Sequence, residues 1–253
     1  MSFIFRSSTV ALATFLCALF GAFLHRHLPE LGVQGAHTVL TPVVALLATF
    51  LSIVLGLLIS SSYNLFNTQQ SDLQTVVSTI AHIDFLFRQI GPATASARNI
   101  LQQQTHVLRS RFWPDEIGVG RSDVTYDCVM ADVQVIEKII GSLQPISDEG
   151  QQELAEVRQL CGKLVEVQMT MIRNLSNRMP NLLLGVIFGW ACILFMCFGL
   201  GGSVSVYDLF IVGLGSLAVA SASYLIFELT DPYRGLFRVS SAAVDLLMRT
   251  LES

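Results

Sequence analysis

The sequence predicts an all-α membrane protein with four transmembrane helices and a helical cytoplasmic region between spans two and three. Three observations predict it. Of 253 residues, 52% are apolar and 13% charged, with a mean hydropathy of +0.59, whereas a soluble domain carries about 25% charged residues. Four apolar runs are long enough to cross a hydrocarbon core of about 30 Å, which takes roughly 20 helical residues. Between the second and third runs, apolar residues recur at spacings of three and four, the helical period. The divisions that follow are 1–62 for spans one and two, 63–179 for the cytoplasmic helical region, 180–228 for spans three and four, and 229–253 for a cytoplasmic C-terminal segment.

Span one covers residues 7–24, between Arg6 and His25-Arg26-His27. Arg6, the apolar stretch and the small residues Ala18, Gly21 and Ala22 resemble a signal peptide, but a second apolar span follows closely, so the expectation is an uncleaved first span. Span two covers 39–59, and no charged residue occurs from Thr38 to Ser71. Span three covers 182–200, after Arg178 and Pro180, and span four covers 209–227, between Asp208 and Glu228. Asp208 is expected at the N-terminus of span four, where free amides and the helix dipole favour a carboxylate. Arg6, Arg173, Arg178, Arg234 and Arg238 flank one side of the spans, against Arg26 on the other. The positive-inside rule then puts both termini and the middle region in the cytoplasm, in a bacterial inner (plasma) membrane.

In the middle region, Leu73, Val76, Val77, Ile80, Ile83, Phe87 and Ile90 form one helical stripe. Neither Gly nor Pro intervenes between Gly56 and Gly91, so span two is expected to continue into the cytoplasm as one long helix, ended by Gly91-Pro92. A second helix is expected over residues 93–112, closed by Trp113-Pro114, and a third around Val129, Val133, Ile136, Ile140 and Leu143. Leu154, Val157, Cys161, Leu164, Gln168, Met171 and Leu175 mark a fourth, with a heptad-like seam that serves either ordinary packing or an oligomer contact. Leu236, Val239, Ala243, Leu246 and Leu247 suggest a short terminal helix.

The net charge of −4 argues against a nucleic-acid partner. Five cysteines without a CxxC pair suggest neither a disulfide framework nor a zinc site. No P-loop, GxGxxG, HExxH or GxSxG occurs, so the expectation is not an enzyme, with no catalytic residue, cofactor or metal. His25, His27 and His37 read better as an exposed polar loop than as a metal site, since only Glu30 accompanies them. No charged residue lies well inside a span, which argues against a pump or an ion-coupled transporter.

Span two carries the most informative face. Thr41, Ala45, Thr49, Ser52, Gly56, Ser60 and Asn64 recur every three or four residues as one small or polar stripe. Such a stripe allows either close helix packing in lipid or a water-filled path. Span three has Gly185-x-x-x-Gly189, a packing signature, and span four is rich in Gly, Ala and Ser from Gly213 to Ser223.

Three segments carry a family resemblance. They are Leu55-Gly56-Leu57-Leu58-Ile59, the stretch from Val76 to Pro92 with Phe85-Leu86-Phe87-Arg88 and Ile90-Gly91-Pro92, and Glu228-Leu229-Thr230-Asp231-Pro232-Tyr233-Arg234-Gly235-Leu236-Phe237-Arg238-Val239-Ser240. Together with the span order, they resemble the bestrophin-like family of bacterial four-span membrane proteins of unknown function, whose most distinctive motif is matched at Asp231, Pro232 and Gly235. One departure is Thr75-Val76-Val77-Ser78-Thr79, where the family's first cytoplasmic helix usually carries an acidic residue before an Ala-Asn-Ala-like run. The resemblance implies bestrophin-like architecture: a homo-oligomer, a pentamer by analogy, that conducts an inorganic ion (an anion by the same analogy). Span two lines the pore in bestrophins, which selects Thr49, Ser52, Gly56 and Ser60 as pore-lining candidates. The bestrophins' acidic calcium cluster has no counterpart that the sequence identifies. The alternative is a non-conducting scaffold or sensor in the lipid bilayer whose cytoplasmic helices bind a partner.

Overall fold

A computed structural model describes residues 2–27, 33–113, 134–135, 141, 148–176, 181–201, 205–233 and 235–252. Its helices are α1 (Ser2–His27), α2 (Val33–Ile90), α3 (Ala95–Phe112), α4 (Asp148–Ser176), α5 (Asn181–Leu200), α6 (Val206–Thr230) and α7 (Ala242–Glu252), with a 3-10 turn over Pro92–Thr94. The described residues contain no strand. The protein is all-helical, and four of its helices are long and apolar enough to cross a membrane. The chain divides into two compact units, Met1–Leu65 with Met179–Asp231, and Phe66–Arg178 with Pro232–Ser253.

The first unit holds the apolar helices. α1 packs against α5 and α6. Ser7 Oγ donates to the Ala220 carbonyl, and Phe15 lies beside Gly213, so α1 and α6 run antiparallel. Phe195 lies beside Gly215, and Phe188 stacks near Phe227, so α5 and α6 are antiparallel too. It follows that α1 and α5 run parallel, with their N-termini and the C-terminus of α6 at one end. The α1–α5 contact is backbone to backbone: a Cβ at Gly21 would collide with the Met196 carbonyl, and one at Gly199 with the Ala18 carbonyl. In lipid, where apolar burial drives little association, such close approach supplies dispersion contact instead. Leu51 and Leu58 of α2 pack with Leu184, Ile187, Ala191 and Leu194 of α5 and Ile226 of α6.

The Gly185-x-x-x-Gly189 expectation does not hold within the chain. Both glycines have open space where a Cβ would stand, so the close approach is made by Gly21 and Gly199 instead. Small-residue spacing marks a face able to approach another helix; it does not say which pair uses it. Asp208 sits in the first turn of α6, as expected, and accepts a hydrogen bond from the Ser205 amide at 2.9 Å.

The second unit has an ordinary helix-packed core. The expected stripe on α2 supplies Leu73, Val76, Ile80, Ile83 and Phe87, and also Leu86. Leu101 and Leu108 of α3, Val157, Cys161, Leu164 and Met171 of α4, and Val244, Leu247 and Leu251 of α7 meet it. The heptad-like seam of α4 is therefore used up in its own unit's core. α2 ends as expected at Gly91, whose φ of 98° suits a residue without Cβ. Thr94 Oγ1 donates to the carbonyls of Phe87, at 2.6 Å, and Gly91. The terminal helix starts at Ala242 and not near Leu236, because Pro232 and Gly235 impose a turn first. Apart from Gln134, Val135 and Gly141, which are helical, the expected third helix around Val129 to Leu143 lies outside the described residues, as do Gly118, Gly120 and Arg234.

Candidate pore-lining face and C-terminal motif

Thr49, Ser52, Gly56 and Ser60 are all exposed on the subunit, as are Thr41, Ala45 and Asn64 of the same stripe. A Cβ at Gly56 would meet nothing within 4 Å. The opposite face of the helix holds Leu51 and Leu58, at 5% and 7% exposure. The stripe is therefore not a contact between the described helices of one chain. Thr49 Oγ1 donates to the Ala45 carbonyl and Ser52 Oγ to the Ala48 carbonyl, each at 2.8 Å. These bonds satisfy the hydroxyl protons and leave oxygen lone pairs on the surface. Beside the stripe, Leu46, Phe50, Ile53 and Leu57 form an exposed apolar arc. α2 thus presents two outward faces, one small and neutral-polar, one greasy.

The C-terminal motif is a structural turn in its geometry. The Asp231 amide donates to the Glu228 carbonyl at 3.3 Å, closing α6. Gly235 has φ 92°, a left-handed conformation that suits glycine. The Val239 amide donates to the Pro232 carbonyl at 2.7 Å and closes the loop. Tyr233, which the sequence reading passed over, enters the second unit's core. Its ring lies 4.7 Å from Phe112 and 5.6 Å, edge-on, from Trp113. Its hydroxyl donates to Gln69 Oε1 at 3.1 Å, and Gln69 Nε2 donates to the Met171 carbonyl at 3.3 Å. Trp113 Nε1 donates to the Val239 carbonyl at 3.0 Å. Burial and the nearby Asp72 carboxylate push the Tyr233 hydroxyl far above its usual range. Burial likewise raises Asp72, whose Oδ2 is buried with no hydrogen-bond partner among the described residues.

A second network escaped the sequence reading. Asp84 is 5% exposed and accepts from Arg88 Nε at 2.8 Å and Arg98 Nε at 2.7 Å. Arg88 also donates to the Thr250 carbonyl at 2.8 Å, at the end of α7. Gln102 donates to the Leu251 carbonyl, and Arg109 pairs with Asp245. Arg109, chiefly through its hydrogen bond and with help from Ser241 and Arg249, holds the Asp245 carboxyl below its ordinary range, against the opposing effect of burial. The i,i+4 spacing of Asp84 and Arg88 was a visible signal; Arg98 and α7 offered none.

His25 and His27 lie in the last turn of α1 and not in a loop. Two residues apart, they point to different sides of the helix. His27 Nδ1 is 3.1 Å from the Phe23 carbonyl, and the side chain of His37 lies outside the described residues. Among the described residues, no group of three or more His, Cys, Asp or Glu side chains is placed to hold a metal ion.

Four apolar helices and a helical second unit joined by a long α2 define a class of all-α integral membrane protein. A family model of the bestrophin-like domain matches residues 11–244. The chain belongs to the bestrophin-like family. A point variant of a bacterial bestrophin homologue from Klebsiella pneumoniae matches with a TM-score of 0.69 at 18% identity, over 98% of this chain and 100% of that one. Another variant of that homologue matches with a TM-score of 0.71 at 19% identity, over 96% of this chain and 98% of that one. A variant described as a membrane protein matches with a TM-score of 0.71 at 17% identity, over 97% of both chains. At these identities the likeness is one of fold. No curated protein matches the chain.

Proposed function

We propose that the chain is one subunit of a homo-oligomeric ion channel in which the Thr49, Ser52, Gly56 and Ser60 face of α2 turns towards the ion path. The observation that carries this reading is the exposure of the whole stripe while the opposite face of the same helix is packed. Lipid rewards large apolar side chains, and a glycine with two serines and a threonine offers it little. A ring of subunits would turn the stripe inward and leave the apolar arc of Leu46, Phe50, Ile53 and Leu57 for lipid or a neighbouring helix. Fold alone does not fix function, so the reading rests on this face and on the family's four-span pattern. The stripe carries no ionised group, so it selects ions by width and hydroxyl lining more than by sign of charge. Anion permeation and five subunits are the values that the bestrophin analogy supplies, with both termini in the cytoplasm of a bacterial inner membrane.

The test starts with the mass of purified full-length protein in mild detergent, by native mass spectrometry or mass photometry. A discrete ring-forming number is expected, followed by currents in planar bilayers. Ser52→Phe and Gly56→Leu should each abolish those currents while leaving the oligomer intact. Unchanged currents in both variants would remove the lining assignment, and a monomer with silent bilayers would remove the channel. The alternative, a non-conducting scaffold or sensor, rests on the helical middle region and the α4 seam, and residues of that seam pack into the unit's own core.

A further inference from the structure

We infer that Cys17 of α1 and Cys192 of α5 form a thiol pair in the membrane unit that a lipid-soluble oxidant converts to a disulfide, stapling the two helices. The geometry comes from the α1–α5 contact. The helices run parallel and approach closely where Gly21 faces the Met196 carbonyl. One helical turn towards the N-terminus on each helix are Cys17 and Cys192. Because the helices are parallel, the same step on both keeps the two positions side by side; antiparallel helices would carry them apart. Cys17 and Cys192 are close enough to act on each other across this contact.

Access separates this pair from the other described cysteines. Cys17 and Cys192 are both half-buried, so each keeps some surface towards the bilayer. Cys161 is buried in the core of the second unit. Cys197 is half-buried too, but it lies five residues beyond Cys192, on another side of α5.

The oxidant class follows from location. Both cysteines lie well inside helices long and apolar enough to span a membrane, so the reagent must dissolve in hydrocarbon. A benzoquinone-type molecule meets that need. In the step, the two S–H bonds break and one Sγ–Sγ bond forms. The two sulfurs together lose two electrons, and these, with the two protons, reduce the quinone to hydroquinone. A disulfide needs its Cβ atoms about 3.5–4.5 Å apart, a distance that a contact as close as Gly21 against Met196 brings within reach one turn away. The bond would fix the crossing of α1 and α5 and close a loop containing most of the chain.

The test counts thiols, so it does not depend on whether the protein conducts. Full-length protein in lipid nanodiscs is treated with duroquinone, denatured, and labelled with a maleimide polymer. Of the five cysteines, all should label before oxidation and three after it, with intact mass falling by two hydrogens and a peptide joining Cys17 to Cys192. Cys17→Ala and Cys192→Ser should each retain all their thiols, whereas Cys197→Ser should still lose two. Undiminished labelling of the folded wild type would overturn the inference. So would a loss that persists in Cys192→Ser, or a disulfide that joins two chains.

Discussion

Asp84→Asn tests the network that ties α2, α3 and α7 together in the second unit. The carboxylate is 8% exposed and accepts two charged hydrogen bonds, at 2.8 Å from Arg88 and 2.7 Å from Arg98. The substitution keeps the size and removes the charge. One amide oxygen remains for one guanidinium, and the new NH2 group faces the donors of the other. Each bond to a charged group contributes about 1.5–3 kcal/mol. Breaking a buried pair by removing one partner costs about 3–5 kcal/mol. The Arg88 and Arg98 side chains are 40% and 28% exposed, so water recovers part of that loss. The net expectation is about 2–4 kcal/mol, a fall of roughly 4–16 °C in Tm for a chain of this size. Trp113 reports on this unit, and a Trp190→Phe background leaves it as the only tryptophan. Thermal unfolding in mild detergent, followed by Trp113 fluorescence, reads the shift. Arg98→Met should cost less in the Asp84→Asn background than alone, since the interaction is already gone. A Tm within about 2 °C of the parent, the range of an ordinary surface substitution, would refute the argument.

Three further outcomes follow from the same geometry. Tyr233→Phe deletes the donor to Gln69, whose side chain is fully buried, and the stranded acceptor should cost about 1–3 kcal/mol in the same fluorescence melt. Asp245 has a lowered folded-state pKa, so its contribution to stability is present above the ordinary carboxylate value of 3.8 and is lost as pH falls through the lower folded value; α7 should loosen in that acid range, seen as faster amide exchange over residues 242–252, and Asp245→Asn should flatten the effect. Gly21→Val should prevent α1 from reaching α5 and lower the yield of folded protein, whereas Gly185→Val, with open space around it, should leave the subunit folded; equal yields from the two would contradict the packing described.

The spans, the length of α2 and the core stripe were legible because each depends on one-dimensional pattern. Charge-free length sets a span, a gap without Gly or Pro permits a long helix, and spacings of three and four choose the buried face. The terminal turn was legible for a similar reason, since Pro232 and Gly235 restrict the backbone locally. Partner choice was not legible. Gly185 and Gly189 carry the packing spacing but stand open, while Gly21 and Gly199, which no motif joins, touch backbone. Arg98 reaches Asp84 across a helix turn and a loop, and Tyr233 finds Gln69 from the far end of the chain. Such pairings depend on how helices meet, which no local spacing encodes. Asp231, Pro232 and Gly235 stand out in the motif because they shape the backbone, whereas Tyr233, which with Val239 carries side chains into the core, has no spacing that marks it.

The small residues of the membrane unit fall into two groups, and the division bears on assembly. Gly21 and Gly199 are spent inside the chain, where a side chain would meet backbone at once. Gly56, Gly185 and Gly189 face outward and meet nothing within 4 Å. A glycine in a helix costs roughly 1 kcal/mol relative to alanine, and the first group offsets that cost through contacts within the subunit. The second group has no such return in the isolated subunit. Its glycines lie on two different helices, α2 and α5. Two outward small-residue faces are what a subunit needs when one surface meets a neighbour and another faces a shared axis. That requirement makes the oligomer measurement decisive for the α2 stripe: without a ring, Gly56 is an unexplained cost on a helix surface.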